Sequence, residues 1–157
     1  MSGRAGRRPG SIRPGEVAVP TPDADDAGVW FIGTINTPWA SRDDCPKRGD
    51  MEDGPICTIE VDPYWQAALR GVAAFPRLQV LYWMHLARRD LVLQTPGRTG
   101  ITTGTFALRS PVRPNPIASS IVTLVGIEGS VLRVKGLDCV DGTPLLDLKP
   151  DRSSQDE

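Results

Sequence analysis

Apolar residues alternate along residues 78–85. Val80, Tyr82 and Met84 fall on one side of an extended chain, Leu81, Trp83 and His85 on the other. A period of two predicts a strand. Shorter apolar runs predict further strands at residues 29–34, 56–61, 103–108, 121–127, 131–134 and 145–148. Glu128-Gly129 between two of these runs predicts a hairpin, and the segment Asp141, Gly142, Thr143 and Pro144 a second turn. One helix is signalled: Asp62 as cap, Pro63 at the first position, then residues 64–70 before Gly71. Residues 41–55, rich in Asp, Gly and Pro, predict a long loop of the kind that carries function or moves. The expected fold is mainly β: a single small β-barrel with one or two short helices, since closure removes exposed strand edges. No alternating strand–helix pattern and no GxGxxG run is present, which argues against a doubly wound nucleotide-binding sheet.

Composition sets the domain limits. Residues 1–26 hold Gly, Pro, Ala and charge with almost no large apolar side chain, and predict a disordered arm. The barrel is expected over residues 27–150, and residues 151–157 as a flexible tail. Net charge is −1, and residues 27–150 balance 13 basic against 12 acidic residues, so a local basic patch fits but a strongly basic surface does not. Three scattered cysteines without a CxxC pair argue against a disulfide framework or zinc site, and a single histidine excludes a multi-histidine metal centre. Nothing suggests a secretory signal or membrane span, so a cytoplasmic protein without a membrane partner is expected.

Few residues invite chemistry. The run from Arg109 to Pro116 (RSPVRPNP) contains three prolines and two arginines. Prolines stiffen a loop, and stiffly held guanidinium groups suit a phosphate, a carboxylate or a stacked base. The same run is equally a rigid barrel connection with solvated arginines. His85 follows an apolar strand; imidazole is the side chain suited to proton exchange near neutral pH, but a lone histidine there also reads as a half-buried structural residue. Asp138, Asp141 and Asp147 near the last turn fit ordinary turn roles. Tyr64, Trp65, Tyr82 and Trp83 read as core rather than as platforms for bases.

Two long runs carry more. GTFALRSPVRPNPIASS resembles the signature of the TsaA/TrmO family, and VLRVKGLDCVDGTPLLDLKP is similar to its closing motif. IGTINTPW, the Cys45-Pro46-Lys47-Arg48-Gly49 loop and GVAAFPRLQVLYWMH fit as well, so the resemblance covers about residues 28–150. It implies a β-barrel that binds S-adenosylmethionine, commonly at a homodimer interface, and methylates N6 of threonylcarbamoyladenosine beside the tRNA anticodon. Its cofactor contacts fall on Lys47, Arg48, Gly49, His85, Leu86, Arg109, Ser119, Asp141, Gly142, Thr143 and Pro144. His85, Arg109 and Arg113 are its candidates for the reaction itself. No metal is implied. Departures are Lys47-Arg48 for the usual Arg-Gln, Ala118 for a glycine and Asp151 for a tyrosine. A non-catalytic module that binds S-adenosylmethionine or a nucleotide is the alternative.

Overall fold

The computed structural model describes residues 11–153. Nine strands occur among them: β1 (Val17–Ala18), β2 (Gly33–Asn36), β3 (Cys57–Val61), β4 (Arg77–Trp83), β5 (Leu91–Gln94), β6 (Thr103–Gly104), β7 (Ile117–Glu128), β8 (Val131–Lys135) and β9 (Thr143–Pro150). Six close a barrel in the order β2-β3-β8-β7-β4-β9, and β1-β5-β6 form a separate three-stranded sheet. The chain divides into two compact units: the barrel unit, Val29–Trp83 with the chain from Ala118 onward, and a second unit made of Met84–Ile117 with the segment up to Gly28. The single domain expected over residues 27–150 is therefore interrupted by an insertion between β4 and β7.

Alternation builds the barrel. Along β4 the buried positions are Leu78, Val80 and Tyr82; β3 contributes Cys57, Ile59 and Val61, β8 Leu132 and Val134, and β9 Thr143 and Leu145. Each fully buried Leu, Ile or Val stabilises the fold by about 1.5–3 kcal/mol. The β7–β8 hairpin turns at Gly129, whose φ of +61 is the left-handed conformation that glycine adopts without cost.

Several expectations are corrected. The apolar run at 29–34 enters the barrel only at its end: Ile32 N–H donates to Leu145 O, whereas Val29, Trp30 and Phe31 are 59%, 75% and 52% exposed. The strand expected at 103–108 stops at Gly104, and Thr105–Ala107 turns as a 3-10 helix closed by Leu108 N–H on Thr105 O. The helix Pro63–Leu69 is also 3-10; Asp62 caps the Tyr64 N–H as expected, but no residue is buried, so no apolar stripe sustains a longer α-helix. Tyr82 is core, but Tyr64 is 81% exposed and packs edge-on against Trp65 at 4.8 Å.

The arm expected to be disordered through residue 26 is ordered around β1. The buried Glu16 carboxylate accepts the N–H groups of Arg13 and Thr95, at 2.8 and 2.9 Å. Arg13 in turn donates to Thr95 O at 3.1 Å. A polar anchor replaces the apolar one whose absence predicted disorder. Residues 1–10 and the end of the expected tail lie outside the described residues.

Candidate functional site

At one end of the barrel β2, β4 and β8 finish and β3, β7 and β9 begin. Its loops are laced together by backbone chemistry. Asp141 N–H donates to Trp39 O and Gly142 N–H to Ile35 O, both at 2.8 Å. Thr37 N–H donates to Asp141 Oδ1 at 3.0 Å, and Thr37 Oγ1 to Cys139 O at 2.8 Å. The long loop before β3 joins them at Gly49, where a Cβ would fall 1.8 Å from Gly136 O. Only glycine permits that approach, so Gly49 seats the loop that carries Lys47 and Arg48. Both side chains are exposed, with no hydrogen bond or ion pair among the described residues.

Of the residues implied for the cofactor, Lys47, Arg48 and Gly49 lie on the loop seated at this end of the barrel unit, Asp141 and Gly142 on the loop before β9, and Ser119, Thr143 and Pro144 near the starts of β7 and β9. Three of their polar groups have internal tasks. Asp141 Oδ1 holds Thr37, Thr143 Oγ1 donates to Val140 O at 2.6 Å, and Ser119 Oγ accepts from Gln79 Nε2 at 2.9 Å.

A network not anticipated from the sequence lies at the same end. The Tyr82 hydroxyl donates to Asp138 Oδ1 at 2.9 Å and meets Ser120 Oγ at 2.8 Å. Burial, then the Asp138 charge, raises the Tyr82 phenol well above its ordinary value, so it stays a donor. Burial likewise pushes Cys139 up to about 12. Alternation places Tyr82 in the core, but its hydroxyl reaches residues 38 and 56 positions away, which no local pattern reveals.

The second unit holds the other implied residues. His85 and Leu86 are exposed in a turn closed by Ala87 N–H on Met84 O at 3.0 Å. The Arg109–Pro116 run is irregular, as expected, but carbonyl capture fixes it as much as proline does. Gln94 Nε2 donates to Val112 O at 2.6 Å, Arg89 Nε to Pro114 O at 2.6 Å, and Arg113 Nη1 to Leu108 O and Ser110 O at 2.9 and 3.0 Å. The two arginines thus differ. Arg113 braces its own loop, whereas Arg109 is exposed and makes no hydrogen bond or ion pair among the described residues.

A closed barrel interrupted between β4 and β7 defines the class. A crystal structure of TrmO from P. aeruginosa matches with a TM-score of 0.68 and 29% identity, over 86% of this chain and 59% of that one. Residues 34–157 match the family described as tRNA-methyltransferase O N-terminal domain, and the chain belongs to that family. A relative from Rhizobium radiobacter, "Probable S-adenosyl-L-methionine-binding protein VirR", is 53% identical over 90% of this chain and 81% of its own length. The Escherichia coli "tRNA (adenine(37)-N6)-methyltransferase" is 35% identical over 76% of this chain and 55% of its own. The chain thus spans somewhat over half the length of the named methyltransferase and of the solved TrmO structure.

Proposed function

We propose that this chain binds S-adenosylmethionine and transfers its methyl group to N6 of the modified adenosine beside a tRNA anticodon. The observation that carries this reading is the assembled barrel end, in a chain of this family, where Gly49 against Gly136 seats the loop bearing exposed Lys47 and Arg48, and where the loop before β9 bears the carboxylates of Asp138 and Asp141. A cofactor with a carboxylate, an ammonium and a sulfonium calls for both signs of charge, so the donor set fits. Lys47 and Arg48 would meet its carboxylate, and Asp138 its cationic part. Bound there, it supplies an electrophilic methyl group.

The chain's own residues must align the acceptor nitrogen and accept its proton. Exposed His85 is the proposed proton acceptor and exposed Arg109 the proposed donor to the carbonyl or phosphate of the substrate. Arg113, committed to two carbonyls, acts by shaping the loop. The implied roles of Leu86, Ser119, Gly142, Thr143 and Pro144 toward the cofactor belong to this proposal, as do a homodimer and a cytoplasmic location.

The test is mass spectrometry of tRNA nucleosides after incubation of the purified protein and S-adenosylmethionine with tRNA from a deletion strain. Appearance of the N6-methylated nucleoside supports the enzyme. The Rhizobium radiobacter relative, covered over 81% of its own length, is named for binding alone, which favours a non-catalytic module as the second reading. Cofactor binding without methylation would select it.

A further inference from the structure

The insertion Met84–Ile117 carries five arginines against one aspartate, with no lysine or glutamate. Asp90 is already taken, its two oxygens accepting from Arg88 at 2.7 and 2.9 Å. No further acid stands within the insertion itself; those of the same unit are Glu16, Asp23, Asp25 and Asp26 of the N-terminal segment. The barrel unit is the reverse, with nine basic residues against fourteen acidic.

Two features turn this charge into a surface. Arg98 stands exposed on the turn between β5 and β6, a turn fixed by Gly100 N–H on Pro96 O at 2.8 Å and by the Thr95–Thr102 hydroxyl contact at 2.8 Å. Arg13 lies along the same turn: its guanidinium donates to Thr95 O and comes 3.8 Å from where a Gly97 Cβ would sit. At the other end of β6, Phe106 is 80% exposed. It is not loosely held. The preceding Thr105 is buried, its hydroxyl donating to Leu91 O at 2.7 Å and accepting from Gln94 Nε2 at 3.0 Å.

Guanidinium groups and a presented aromatic ring on a fixed scaffold are what a single-stranded nucleic-acid surface needs. Cations neutralise phosphates, and a ring stacks on a base of any identity. RNA recognition favours loops, whose bases are free to leave the stack. We propose that the second unit is the RNA-docking surface of this protein, with Arg98 of the insertion and Arg13 of the N-terminal segment on backbone phosphates and Phe106 stacked on an unpaired base of the tRNA loop. This rests on the proposed methyltransferase reading and assigns its substrate contact to one unit.

Fluorescence anisotropy with a labelled tRNA anticodon stem-loop tests it, in parallel with calorimetry of S-adenosylmethionine. Arg98→Gln should weaken RNA binding severalfold and flatten the dependence of log affinity on log salt by about 0.7–0.9. Phe106→Leu should weaken it about tenfold with the salt slope unchanged. Both should keep wild-type cofactor affinity, and Arg70→Gln on the barrel unit should change nothing. Wild-type affinity and slope in both variants of a protein that still methylates tRNA would overturn the docking surface and leave the activity standing. No RNA binding or methylation by the wild type would remove both. Loss of cofactor affinity in Phe106→Leu would assign the ring to the cofactor instead and overturn its stacking role.

Discussion

Gly49 and Gly136 meet backbone to backbone, with no room for a Cβ on the first and a φ of +118 on the second. Gly49→Ala should therefore lift the Lys47–Arg48 loop off the barrel. Cofactor affinity should fall by at least about tenfold, equivalent to roughly 1.4 kcal/mol, while the barrel still unfolds cooperatively. Calorimetry and thermal melting separate the two effects. Unchanged affinity would remove the loop from the site.

Arg109 carries an exposed guanidinium on a pinned loop. Arg109→Lys keeps the charge and loses the planar fork. Methyl transfer should drop by at least about tenfold. Stability should change by less than about 1 kcal/mol, because no internal partner is lost. Arg113→Lys should do the opposite, lowering the melting temperature through Leu108 O and Ser110 O. Equal behaviour of the two variants would contradict the distinction.

Glu16 fastens the N-terminal segment. Glu16→Ala leaves the Arg13 and Thr95 N–H groups without their acceptor and should cost about 1–3 kcal/mol in urea unfolding. A stable Glu16→Ala variant would return the segment to the disordered arm its composition suggests.

Asp90 gives a pH signature. Its hydrogen bonds from Arg88 hold the carboxyl below its ordinary value of 3.8, with burial opposing. A carboxyl lowered by folding contributes stability that is present above its unfolded value and lost as pH falls through the folded one. Asp90→Asn should thus be less stable than wild type at pH 7, and the two should converge in acid, as the pH falls from 3.8 through the lower folded value. Denaturant titrations across that range check it; a gap of constant size would deny the ion pair its role.

Where barrel strands were legible, they obey a local rule: a period of two in β4, and a left-handed glycine between β7 and β8. The second sheet was not. Val17–Ala18 is two residues long, pairs with Leu91 and Leu93, and is held by a buried carboxylate that composition counts as evidence for disorder. Residues 29–31 misled in the opposite sense, being apolar yet exposed. At the candidate site the resemblance supplied names but not tasks. That Arg113 faces inward to carbonyls and Arg109 does not depends on how the loop folds back. The meeting of Tyr82 with Asp138 depends on register between remote strands.

The barrel order has a consequence for synthesis. Among the six barrel strands β9 comes last in chain order and lies between β4 and β2, so it is the stave that completes the cylinder. While a ribosome is still making residues before Thr143, β2 and β4 have no partner on that side and offer two bare hydrogen-bonding edges. A nascent chain stalled there is an open, sticky sheet. Synthesis of β9 therefore acts as a closure step, and translation arrest or a frameshift before Thr143 should yield aggregates rather than a weakened protein.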